Sequence, residues 1–115
     1  MKKNIYELQP LRIQSGWKVE FNSFTEYDLL LHDKNVAFDY LSEDLLQLHF
    51  SRNNVELLID LGWYPSGDID GNYKLVMLKD FNWEFPIEKL ITKSKNDVIY
   101  QIEYWCCYGF FSKHL

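Results

Sequence analysis

Leu57-Leu-Ile-Asp-Leu-Gly-Trp-Tyr-Pro-Ser-Gly-Asp-Ile-Asp-Gly-Asn-Tyr-Lys-Leu-Val-Met-Leu78 reads as a strand, a turn and a second strand. The first strand begins at Val55, and Val55, Leu57, Ile59 and Leu61 alternate with Glu56, Leu58 and Asp60. That period of two predicts a strand over 55–61 with one buried face. Pro65 to Asn72 is the turn, because Gly67, Asp68, Gly71 and Asn72 tolerate left-handed backbone or bond their own main chain. Tyr73 to Lys79 is apolar on both faces, as expected of an inner strand partly covered on each side.

Working upstream, Leu46, Leu48 and Phe50 share one side of a strand over 45–50, and Ser51-Arg-Asn-Asn54 joins it to the next strand as a hairpin. Trp17, Val19 and Phe21 alternate with Lys18, Glu20 and Asn22, predicting a half-buried strand over 17–22. Residues 1–10 form a leader ending at Pro10. Residues 23–44 keep neither period and read as an irregular connector with one short strand and a turn at Asp33-Lys-Asn35. Working downstream, Asp80 to Pro86 ends the inner strand, and Glu88 to Lys93 is a last short strand. The period then changes. Ser94 at the N-cap with Asp97 three residues on is a capping signal. Val98, Ile102, Trp105 and Cys106 fall on one stripe of a helix over 95–108, terminated by Gly109. The expected fold is α+β: an antiparallel β-meander sheet of four to five strands with a C-terminal helix packed on one face.

A chain of 115 residues fits one domain spanning 1–115. Seventeen acids against twelve bases give a net charge of −5, and only two of the bases are arginines, so no basic stripe offers itself to nucleic-acid phosphates. Two lysines near the start are followed by no apolar run, so neither a signal peptide nor a membrane span is expected, and a cytoplasmic location is. Cys106 and Cys107 are adjacent. A bridge between neighbours strains the intervening peptide bond, so both are expected as free thiols in a reducing compartment. Eight Phe, eight Tyr and four Trp are more rings than a small core can hide, and surface rings are common interface anchors.

No residue pattern carries chemistry. Asp68-Ile-Asp-Gly-Asn72 resembles the opening of a calcium loop, but Tyr73 stands where that loop needs its glycine and Lys79 where it needs its bidentate glutamate. His32, His49 and His114 have no metal-ligand spacing. Cys106 and Cys107 sit at a helix C-terminus, which opposes thiolate formation. No catalytic residue, metal or cofactor is assigned, and the chain reads as a non-enzymatic binding module. Trp63 and Tyr64, beside Asp68 and Asp70, form the candidate partner-binding patch, with Glu56 and Asp60 on the sheet face away from the helix as further candidates. Trp83 and Phe85 are expected at the opposite end of the sheet from Trp63 and Tyr64.

Three stretches carry a family resemblance: Arg12-Ile-Gln-Ser-Gly-Trp-Lys-Val-Glu-Phe-Asn22, Leu45 to Leu48, and Leu57 to Val76 with its Asp-Leu-Gly-Trp-Tyr-Pro run. Together they resemble a family of small, mostly uncharacterised bacterial proteins, often encoded beside polymorphic toxins and similar to the immunity proteins of those systems. The resemblance covers most of residues 11–105, and the Cys-Cys-Tyr-Gly-Phe-Phe run after Trp105 departs from it. It implies a protein that neutralises a cognate toxin domain by direct binding. That domain is expected to be basic, since the chain is acidic. The alternative is a small-ligand or carbohydrate-binding module, with rings stacking on sugars and acids bonding hydroxyls.

Overall fold

The hairpin over 46–64 organises the molecule. In the computed structural model, which describes residues 5–115, β2 (Leu46–Arg52) and β3 (Val55–Tyr64) pair antiparallel with Leu46 opposite Leu61, Leu48 opposite Ile59 and Phe50 opposite Leu57. Asn53 and Asn54 adopt φ of 55° and 64°, the left-handed pair that a two-residue hairpin turn requires. Alternation on both strands therefore delivers one continuous apolar face. β4 (Asn72–Lys79) and β5 (Glu88–Thr92) extend the sheet on one side, and β1 (Lys18–Asn22) pairs with β2 on the other. The five strands follow chain order, an antiparallel meander. With its helices, the fold is α+β.

Ser94 caps α2 (Lys95–Trp105) by accepting from the Asp97 amide at 3.2 Å. Val98, Ile102, Trp105 and Cys106 are buried in one core with Leu57, Ile59, Leu61, Leu75 and Met77. The amphipathic stripe read from the sequence thus lies on the sheet. The 23–41 connector closes the same face: Phe24, Tyr27, Leu29, Leu41, and Ala37 and Tyr40 of α1 (Ala37–Tyr40) join that core. The connector's strand character amounts to one isolated bridge, Leu8 with Thr25, and Asp33 caps a 3-10 turn by accepting from the Asn35 amide. Of the leader, the first four positions lie outside the described residues.

Two expectations are corrected here. Gly109 does not end the helix. Cys107 goes extended (φ −75°, ψ 131°), and Gly109 sits exposed within a second short helix, α3 (Tyr108–Phe111). The break lets Phe111 pack with ring centroids 4.6 Å from Phe50 and 5.4 Å from Trp17, and this aromatic burial fixes where α2 stops. In β1 the faces are also misassigned. A bulge at Glu20 puts Val19 opposite Leu48 but Phe21 opposite Gln47, so Phe21 turns to the sheet face away from the helix. Only Trp17, just before the strand, joins the core as expected.

Candidate protein-docking face

The face away from α2 is built by the residues that alternate with the core. Gln47 and His49 on β2, Glu56, Leu58, Asp60 and Tyr64 on β3, and Lys74, Val76 and Leu78 on β4 share it through the register of the ladders. Leu58, Val76 and Leu78 make a second small buried cluster there. The 80–87 connection folds back over them. Trp83 and Pro86 border the same depression as Val76, and Phe81 packs against His49 at 5.8 Å between ring centroids. The sequence had placed Trp83 and Phe85 at the far end from Trp63 and Tyr64. Instead Trp83 and Tyr64 line one depression, because the connection returns along the sheet rather than leaving its end.

Gly62 keeps the other border open. The chain at 42–45 crosses it, with the Trp63 amide donating to Ser42 O at 2.8 Å and the Leu45 amide to Leu61 O at 3.0 Å. A Cβ at Gly62 would stand 2.1 Å from Glu43 O and 2.8 Å from the Tyr64 ring. Both obstacles are fixed, one being backbone and the other a ring that lines the face. We therefore expect Gly62→Ala to destabilise the fold by about 2 kcal/mol, the scale of overpacking in a closed site. Urea unfolding checks this, and an unchanged midpoint would show that the 42–45 crossing can move.

Asp60 lies at the centre. It borders a depression of about 140 Å³ with Tyr64, Lys74, Val76, Trp83 and Pro86, and a second of about 220 Å³ with Phe21, Asp44, Leu46 and Gln47. Burial raises its pKa, the Asp44 carboxylate adds to the rise, and a 3.1 Å hydrogen bond from Gln47 Nε2 to Oδ2 opposes it, as does Lys74. Burial also raises the Tyr64 hydroxyl, and Asp60, Glu43 and Asp44 raise it further, which places three carboxylates around that ring. Phe21, Tyr64 and Trp83 are 46, 40 and 55% exposed. Exposed rings thus surround a half-buried acid.

The sequence candidates separate. Tyr64 and Asp60 belong to this face. Trp63 does not: it is wholly buried, its ring 4.9 Å from Tyr73 edge-to-face and its indole N–H donating to Asp68 O at 2.8 Å. Period two decides it, since Trp63 pairs with Tyr73 on the core side while Tyr64 pairs with Asn72. Asp68 and Asp70 are exposed in the β3–β4 turn, where the Asp68 carboxylate accepts from the Asp70 amide at 2.8 Å. Glu56 is occupied: His49 Nε2 shares a hydrogen bond with its Oε1, and Ser51 Oγ donates to Oε2. These bonds, that from Ser51 first, lower its pKa. Ser51, His49 and Glu56 superficially suggest a hydrolytic triad. A relay needs the histidine to accept from the serine. Here both bond the glutamate and the serine does not bond the histidine, so the relay order is not formed.

Phe21, Glu43 and Asp44 were missed by sequence reasoning. Phe21 needs the bulge to reach this face, and no local signal marks the bulge. Glu43 and Asp44 reach it only through the crossing over Gly62. Among the described residues no group of three or more His, Cys, Asp or Glu is placed to hold a metal, and no helix is long and apolar enough to cross a membrane. Cys106 and Cys107 are free thiols; burial pushes the former up to about 12, so it stays protonated and packs as an apolar group. Compared with known protein families, curated proteins and solved structures, the chain matches none.

Proposed function

We propose that this chain is a non-enzymatic binding protein of the immunity type, which neutralises a cognate basic toxin domain by occluding it with the open sheet face. The observation that carries the reading is the arrangement of Phe21, Tyr64 and Trp83, half exposed, around Asp60, Asp44 and Glu43 on one broad surface. Rings supply apolar contact and the acids supply steering and register. The resemblance to proteins encoded beside polymorphic toxins supports the same reading. The carbohydrate alternative is disfavoured at this face by shape: its two depressions, about 140 and 220 Å³, fall below the roughly 300–1,000 Å³ of small-ligand sites, and a third of about 340 Å³ elsewhere, lined by Arg12, Ile13, Gln14, Glu103 and Cys107, offers no ring to stack on a sugar.

Co-expression with the products of the genes adjacent to its own tests the function. The expected result is protection of the cell and co-purification of the two proteins; failure of both would refute it. Electrostatic steering gives a sharper measurement. Glu43→Lys and Asp44→Lys are surface changes that leave stability within about 0.5 kcal/mol. Together they should slow association with a basic partner roughly tenfold at 0.01 M salt. The deficit should shrink at 0.15 M, where the Debye length falls from about 30 to about 8 Å. Stopped-flow association rates that match the unaltered protein at both salts would remove these acids from the interface.

A further inference from the structure

We infer that the 80–86 loop is the preformed anchor of this interface, inserting Trp83 and Phe85 into an apolar cleft bordered by basic groups on the partner protein. The inference rests on the open face being a docking surface, and adds which residues hold the partner there.

The sheet does not need this loop. β4 and β5 are antiparallel neighbours, and a two-residue turn suffices to join such strands. The connection is instead residues 80–87, and its backbone is strained. Asp80 and Phe81 adopt φ of 52° and 58°, and a bulky side chain in the left-handed region is an outlier that persists only where the surroundings enforce it. Here they do. The Asp80 amide donates to Glu56 O at 2.7 Å while the Glu56 amide donates to Asp80 Oδ1 at 3.0 Å. Asn82 Oδ1 accepts from the Phe85 amide at 3.2 Å, and the Ile87 amide donates to Met77 O at 2.8 Å. Both ends and the middle are therefore tied.

What the loop presents is aromatic. Covering Leu58, Val76 and Leu78 accounts for its inward side. It does not account for Trp83 and Phe85, which are 55 and 68% exposed. Among the described residues neither ring contacts another ring, and the Trp83 indole N–H bonds no protein acceptor. Large rings held out on a rigid backbone lose little entropy on binding, which is the property of an interface anchor. Charge sets the partner's chemistry. Asp80 and Glu84 flank the rings, residues 80–87 contain no base, and Asp60, Asp44 and Glu43 lie on the same face, outnumbering Lys74, which borders the Trp83 depression, and Lys89, opposite Val76. The cleft that receives them is thus apolar within and basic at its rim.

Two measurements on the full chain test this. In the free protein, backbone order parameters over 80–86 should match the strands, near 0.85; values below about 0.6 would overturn a preformed loop. In titrations against an inactive form of the toxin domain identified by that co-expression, Trp83→Ala should raise Kd about 30-fold or more, with the melting temperature unchanged. Asp80→Ala, a positioning change, should raise Kd roughly tenfold. Asp80→Asn should recover most of that loss, because asparagine accepts the same hydrogen bond and tolerates the left-handed region, the remainder being the carboxylate's own attraction to the basic rim. Unaltered affinity in Trp83→Ala overturns the anchor while the docking face stands. Equal weakness of the two Asp80 variants would assign that residue's effect to charge and overturn the positioning role. No binding by the unaltered chain would overturn both readings.

Discussion

Trp63→Ala should lower stability by about 3–5 kcal/mol, the range for truncating a fully buried ring. Much of the marginal stability of a small domain, about 5–15 kcal/mol, disappears with it. Trp63 is fully buried, packs edge-to-face on Tyr73 and lies under the Lys93 ammonium at 5.9 Å. Its N–H also pins the β3–β4 turn through Asp68 O. A Cβ at Gly71 would come within 2.7 Å of that indole nitrogen, so the turn is moulded on the ring and cannot close into the space it leaves. Thermal and urea unfolding measure the loss. Trp83→Ala is the internal control: the same truncation at a half-exposed ring should leave the midpoint nearly unchanged. Equal losses at the two positions would contradict the burial that separates them.

That contrast shows how much was legible in the sequence. Period two assigns Leu46, Leu48, Phe50, Leu57, Ile59 and Leu61 to one face, and the ladders place them there. The Ser94 cap and the Val98–Ile102–Trp105 stripe give α2, because both signals are local. Trp63 lay within the same alternating run, two residues after Leu61, and extending the period would have put it in the core. A strand ended at Leu61 leaves Trp63 out, whereas Gly62 is an interior strand residue kept small by a crossing chain. Asp60 was legible as a residue facing away from the helix. Its neighbours were not, because Phe21 arrives through a bulge, Asp44 through a crossing segment and Trp83 through a returning loop. Each depends on contacts distant in sequence, which no local period encodes.

The second large effect is a pH dependence at Lys95. This first residue of α2 is only 4% exposed; its Nζ donates to Thr25 O and lies 4.7 Å from the centre of the Phe24 ring. Burial pulls its pKa from 10.5 to about 8, against Asp28 and Glu26, which favour the charged form. Between pH 8 and 10.5 the unfolded chain therefore holds a proton that the folded chain has released. Stability from this group rises with pH across that window. Below it the buried ammonium carries its full penalty, roughly 3 kcal/mol for a displacement of this size. Tyr73 and Cys106, whose pKa values burial raises, act in the opposite direction at high pH, so absolute stability is a poor probe. Comparison with Lys95→Met removes them, since both proteins share those groups. The stability of the unaltered protein relative to Lys95→Met should improve by roughly 3 kcal/mol from pH 7 to above pH 10, with most of the change between 8 and 10. Urea midpoints taken at each pH supply the difference. A gap that stays constant with pH would mean that Lys95 keeps its ordinary pKa, and that water reaches the seam between α2 and the 23–28 segment.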